Sequence, residues 1–343
     1  MSYLLLIFVY GELDFRIIPH ESRLEYDVDE NLYSRLRPNQ VGFVWLAQMT
    51  QKSPPITINS LRLRGPEVDV NAPERYRILA TGSSYALGSG VRDDETWTLQ
   101  LQALLRARHL PADVLNAGSS SWGPFQHAAF VELYAPHYNP HVLMVMVTEA
   151  NANFQPITNG ARKQAFLEES HQRQKLLSFS PFLAFALRKI DFLYQRHWDK
   201  PQNYMSSFQT EKVPRTPKER LAFILQHQGQ YWQKIADCAA SRAIPTLFFV
   251  LNAEGSTVGL GLTEYLKKIE ASNTWIKVVA ITPKDLPPHD GLSPDAYVQK
   301  HLSILGDGHP NPLYHRLMAE KLAEVFKTWP TSDFQQAANI KFK

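Results

Sequence analysis

The sequence predicts an α/β protein: a parallel β-sheet flanked by helices, with a helical insertion and an irregular N-terminal extension. Two observations carry this expectation. Short unbroken apolar runs, such as the one at 142–147, read as strands buried on both faces of a parallel sheet. Between them lie segments of helical period, and strand–helix alternation implies right-handed crossovers.

Taken in order, residues 1–75 form the extension, 76–330 the α/β domain and 331–343 a tail. In the extension, Arg35, Arg37, Arg62 and Arg64 sit among Pro38, Pro54, Pro55, Pro66 and Pro73, a proline density that resists long helices. The apolar run at 3–10 is too short for a spanning helix, which needs about 20 residues, and lacks a basic start. It reads either as a buried strand or helix end, or as the tail of a membrane anchor. Strands are expected at 77–81, 113–117, 142–147, 245–251 and 276–281. Helices are expected at 93–108, opened by Asp93, Asp94 and Glu95 at the positive end of the dipole, and at 123–134, 263–272 and 312–329. Residues 155–235 break the rhythm and read as the helical insertion, with helices at 161–175 and 182–197, a polar loop at 200–217 and a long helix at 218–241. Residues 254–262 and 282–304 read as long loops near strand ends, where binding rims often form.

The net charge is only +3 over 343 residues, and no run of Lys and Arg is interleaved with aromatics, so nucleic-acid binding has no support. Cys238 is the sole cysteine, which excludes an intrachain disulfide and a cysteine-based metal site. His137, His171 and His197 lack metal-ligand spacing.

Two segments more than two hundred residues apart carry chemistry. In the first, a strand runs through Thr81 and Gly82 into Ser83 and Ser84, followed by Gly88 and Gly90. In the second, Gly306-Asp307-Gly308-His309-Pro310-Asn311 precedes an amphipathic helix. A serine hydroxyl is a weak nucleophile and needs a base within hydrogen-bond reach. His309 supplies the base, and Asp307 can hold the imidazole in the right tautomer. Alone, Asp307-Gly308-His309 also reads as a turn plus a helix cap. The glycines around Ser84 match no phosphate-binding pattern. Oxyanion donors are available from the N–H of Ser84, the N–H of Gly118 and a side-chain amide, Asn151 or Asn153, although loop capping accounts for those asparagines equally well.

These residues resemble the SGNH (GDSL-type) hydrolase superfamily. Gly82, Ser83, Ser84, Gly88, Gly90 and Val91 fall in register with its Gly-Asp-Ser-x-x-x-Gly-x-Gly-Val block, and Asp94-Glu95-Thr96-Trp97 continues it. Asn116-Ala117-Gly118 is similar to the second block, and Asp307-Gly308-His309-Pro310-Asn311, with His315, Arg316 and Ala319, to the last. The segment Asn59-Ser60-Leu61-Arg62-Leu63-Arg64-Gly65 resembles what precedes the first block in a membrane-associated, envelope-type branch. The resemblance departs at two places. Ser83 replaces the acid before the nucleophile. The Gly-x-Asn-Asp block gives way to Thr148-Glu149-Ala150-Asn151-Ala152-Asn153, where strict spacing from Pro140 selects Ala150 and a one-residue shift selects Asn151.

The resemblance implies a flavodoxin-like three-layer α/β/α sandwich and a Ser84–His309–Asp307 triad, with Ser84, Gly118 and Asn151 as the oxyanion hole. It implies hydrolysis or transfer of an O-acyl group on a small ester or acylated carbohydrate, with no metal or organic cofactor, outside the cytoplasm or at a membrane. A degenerate, non-catalytic member that binds glycans or scaffolds an envelope complex is the alternative.

Overall fold

The computed structural model describes residues 24–46, 51–120, 122–152, 156, 160–180, 214, 216–288 and 291–329. The apolar run at 3–10, the helix expected at 182–197, most of the 200–217 loop, Asn153 and the tail at 331–343 lie outside the described residues.

Five parallel strands make the central sheet: β1 (Tyr76–Thr81), β2 (Ala112–Asn116), β3 (Val142–Thr148), β4 (Thr246–Leu251) and β5 (Ile276–Ile281). Their spatial order is β5-β4-β3-β1-β2. This is the flavodoxin-like order 2-1-3-4-5 read from the other edge. The chain therefore runs outward from β1 to β2 and returns to the other side of β1 for β3. That reversal is the topological switch point, where ligands bind outside the carboxyl ends of the strands.

Side chains alternate across a strand, and both faces of this sheet are buried. On one face Leu79, Leu115, Val145, Val147, Phe248 and Val250 pack with Phe130, Val131, Trp232, Ile235 and Leu266. On the other, Ile78, Ala80, Val114, Met144, Met146 and Phe249 pack with Trp97, Leu101, Tyr314, Met318 and Leu322. The molecule is thus a three-layer α/β/α sandwich, and the unbroken apolar runs follow from having a core on each side.

The helices are α1 (Ser84–Leu87), α2 (Trp97–Ala107), α3 (Pro124–Leu133), α4 (Glu149–Ala152), α5 (Gly160–Phe179), α6 (Pro217–Ser241), α7 (Thr257–Ser272), α8 (Pro294–Tyr297) and α9 (Pro312–Val325). The expected helix at 93–108 is a 3-10 turn at Asp93–Glu95 and then α2, whose first turn is capped by the Thr96 hydroxyl. Helix α6, read as the end of the insertion, places Ile224, Trp232, Ile235, Ala236 and Ala239 in the core. Most of 254–262 is not loop, because α7 already begins at Thr257, capped by Ser256. Residues 282–304 contain a 3-10 turn at Pro283–Asp285, α8 and a π turn at Val298–Leu302.

The N-terminal segment is more regular than its prolines suggest. Tyr26–Asp29 pairs antiparallel with Tyr33–Leu36, Gln40–Gly42 with Ile56–Ile58, and Trp45–Leu46 with Gln51–Lys52. Pro38, Pro54 and Pro55 fall between these ladders and Pro66 and Pro73 after the last of them, so no pairing N–H is lost. Arg64 then joins the segment to the edge strand β2, its N–H donating to the Asn116 carbonyl at 2.9 Å. No described helix is long and apolar enough to cross a membrane.

Candidate active site

Strand β1 delivers the serine. After Thr81 the chain turns through Gly82 and Ser83 into the single helical turn of α1, and Gly88 closes it in the left-handed region at φ 82°. The turn is tight: a Cβ on Gly82 would lie 2.5 Å from the Ala86 Cβ and 2.9 Å from the Met146 Cβ. Ser84 is the first residue of α1, so its N–H belongs to the first turn, whose N–H groups have no partner within the helix.

The back of this turn is held by Arg64. Its guanidinium donates to the carbonyls of Leu87 at 2.8 Å, Gly88 at 2.5 Å and Val91 at 2.6 Å, and to Asp93 at 2.8 Å. The side chain is 1% exposed. Burial pulls its pKa down, and the Asp93 carboxylate opposes that pull.

The second half comes from the loop before α9. The Ile304 N–H donates to the His309 carbonyl at 2.7 Å, and the Asn311 N–H to Leu302 at 2.8 Å, which ties the base of the loop. Gly306 and Gly308 take positive φ, 75° and 88°, and let the chain reverse. The Asn311 side chain then caps α9 by accepting from the Tyr314 N–H at 3.0 Å.

Across these loops His309 Nε2 lies 2.9 Å from Ser84 Oγ. The other ring nitrogen, Nδ1, is hydrogen-bonded to Asp307 Oδ1, which also accepts the His309 N–H at 3.3 Å. A carboxylate can only accept, so in the neutral ring the proton sits on Nδ1. Nε2 is then the acceptor for the Ser84 hydroxyl, the arrangement a general base needs. The Asp307 side chain is 9% exposed and the imidazole 22%.

Strands β2, β1 and β3 are adjacent, so Gly118, Ser84 and Asn151 leave the same edge of the sheet on neighbouring loops. The Gly118 and Asn151 donors are engaged within the chain. The Gly118 N–H donates to Asn116 Oδ1 at 2.9 Å. Asn151 is buried; its amide donates to the Trp122 carbonyl at 3.4 Å, and its oxygen accepts from the Thr148 hydroxyl. Ala150, the strict-spacing match, is exposed.

Two contacts of the site lay outside the sequence expectations. The Tyr85 hydroxyl donates to the Gly308 carbonyl at 3.0 Å, and its ring packs on the His309 imidazole with centroids 5.1 Å apart. Burial, then the charges of Glu254 and Asp307, push the Tyr85 phenol up to about 12, so it stays protonated. Behind β1, the fully buried His127 sets Nδ1 3.4 Å from Thr81 Oγ1, and burial pushes its pKa down to about 3.

No protein-family profile and no curated protein matches this chain. Among solved structures, it is similar to a lipolytic protein assigned to the G-D-S-L family from Desulfitobacterium hafniense, at 14% identity and a TM-score of 0.41 over 73% of this chain and 98% of that one. It is also similar to the psychrotrophic esterase EstA from Pseudoalteromonas sp., at 11% identity and a TM-score of 0.41 over 74% of this chain and 97% of that one. The acetylxylan esterase Axe2 from Geobacillus stearothermophilus is similar at 12% identity, with a TM-score of 0.40 over 73% of this chain and 93% of that one.

Proposed function

We propose that this chain is a serine ester hydrolase of the SGNH type, with Ser84 as nucleophile, His309 as general base and Asp307 as the residue that orients the base. The observation that carries the reading is the 2.9 Å contact between Ser84 Oγ and His309 Nε2, with Asp307 on the opposite ring nitrogen. Ser84 Oγ bonds to the ester carbonyl carbon as His309 Nε2 takes its proton. The charge passes to the carbonyl oxygen, which the Ser84 N–H faces from the first turn of α1. Collapse breaks the bond to the alkoxy oxygen, and His309 returns the proton to the leaving alcohol. Water, deprotonated by His309, then attacks the acyl-serine and frees the acid and Ser84. An acceptor alcohol in place of that water would give acyl transfer by the same steps.

Gly118 and Asn151 are proposed as further oxyanion donors. To serve, each exchanges an internal acceptor, Asn116 Oδ1 or the Trp122 carbonyl, for the developing oxyanion. The substrate is proposed as an O-acyl ester on a carbohydrate or a small alcohol, on the strength of the sequence resemblance.

Covalent labelling with a fluorophosphonate, mapped by mass spectrometry, tests the reading. The expected result is modification at Ser84 that slows by a factor on the order of a hundred or more in His309→Ala. A folded protein that leaves Ser84 unlabelled would instead support the glycan-binding or scaffold reading.

A further inference from the structure

Successive residues of the nucleophile turn grip successive residues of the histidine loop. Ser84 meets His309 at 2.9 Å, and Tyr85 meets Gly308 at 3.0 Å. The second contact involves a backbone carbonyl, and its consequence follows from peptide geometry. The group joining Gly308 to His309 is planar, so fixing the Gly308 oxygen also fixes the nitrogen and Cα of His309.

The loop needs such a tie. Its base is bonded through Ile304 and Asn311, but its tip carries two glycines in the left-handed region, the residues with the most backbone freedom. A Cβ on Gly308 would meet nothing within 4 Å, so no packed neighbour confines the tip on that side. The Tyr85 ring, half-buried and tilted 55° to the imidazole, covers the His309 side chain. With its pKa raised to about 12, the phenol remains a hydrogen-bond donor through the range in which a histidine base operates.

On the reading that His309 serves Ser84 as its base, we infer that Tyr85 is a positioning residue. Its hydroxyl locks the peptide plane that carries His309, and its ring walls one side of the imidazole, so that Nε2 is held in reach of Ser84 Oγ.

Tyr85→Phe keeps the ring and removes only the hydroxyl. Labelling of Ser84 by a fluorophosphonate is expected to slow about tenfold, the scale of one lost hydrogen bond at a positioned group. In a His309→Ala background the same substitution should give no further slowing, because its effect passes through His309. Unchanged labelling in the His309 background of the wild type, or equal slowing in both backgrounds, overturns the inference. Failure of the base assignment looks different: Ser84 is not labelled at all, or His309→Ala labels as fast as wild type. The tie can then be read without any reaction, by NMR of 15N-histidine protein. The His309 ring signals, identified by their loss in His309→Ala, should shift or broaden in Tyr85→Phe, and unchanged signals overturn the positioning role.

Discussion

Gly82 shows how little room the turn into Ser84 leaves. Any side chain there must enter the contact between α1 and β3, where the Ala86 and Met146 Cβ atoms stand 2.5 and 2.9 Å from the added carbon. Both are Cβ atoms anchored to backbone, so neither can swing aside. Gly82→Ala should therefore cost about 1–3 kcal/mol of stability, the range for overpacking, and should slow labelling at Ser84 by moving α1. A denaturation curve matching wild type would show that the turn can relax. The residues proposed as the triad, Ser84, Asp307 and His309, could be picked out from the sequence because short, ordered motifs carry them. The Tyr85 tie could not, because a hydroxyl bonded to a backbone carbonyl imposes no residue type on its partner. Spacing leaves Asn151 and Ala150 one residue apart, and in the fold Asn151 is buried while Ala150 is exposed.

At the scale of elements, α1 is one turn long and would not persist alone. Arg64 compensates by accepting no substitute geometry: one planar guanidinium serves three carbonyls at the end of the turn and the Asp93 carboxylate. An ammonium has three donors on a flexible stem and cannot reproduce that fork. Arg64→Lys should leave at least one buried carbonyl unpaired, lowering stability by about 1–3 kcal/mol and slowing Ser84 labelling. Thermal unfolding and labelling unchanged from wild type would remove Arg64 from the account of the site. The start of α7 illustrates why some elements could not be read. Gly255, Gly259 and Gly261 argue against a helix by propensity. The structure gives two of them a packing reason, since a Cβ on Gly259 would lie 2.4 Å from the Asn252 side chain and one on Gly261 2.1 Å from Leu221. Close approach of α7 to its neighbours outweighs the propensity cost. In the N-terminal segment, proline marks the gaps between short ladders, which a count of prolines cannot distinguish from absence of ladders.

For the whole molecule, alternation of strands and helices predicts a parallel sheet but not the order of its strands. That order places Ser84 on the central loop of three at the switch point. Burying so many side chains between three layers also buries imidazoles, and this sets a pH dependence. His127 in α3 and His315 in α9 are fully buried on opposite faces of the sheet, and burial drives the pKa of each from 6.5 to about 3. The His315 ring accepts the backbone N–H of Trp97 at 3.2 Å and so is held neutral. Between pH 6.5 and 3 the unfolded chain binds these protons and the folded chain does not. Stability contributed by keeping them neutral is therefore complete above pH 6.5 and is lost as the pH falls, by about 1.4 kcal/mol per pH unit for each histidine. Asp27 and Asp285, held below the usual carboxylate range by Arg62, Arg37 and Lys321 against the opposing effect of burial, add a loss of the same sign at lower pH. Urea unfolding at pH 7, 6, 5 and 4 should show a midpoint that is nearly flat at the top of this range and falls steeply below pH 6. His127→Gln, which cannot take up a proton, should flatten the fall by the share of one histidine. A midpoint independent of pH from 7 to 4, or a slope that His127→Gln leaves unaltered, would mean that the folded protein admits a proton to these rings without unfolding.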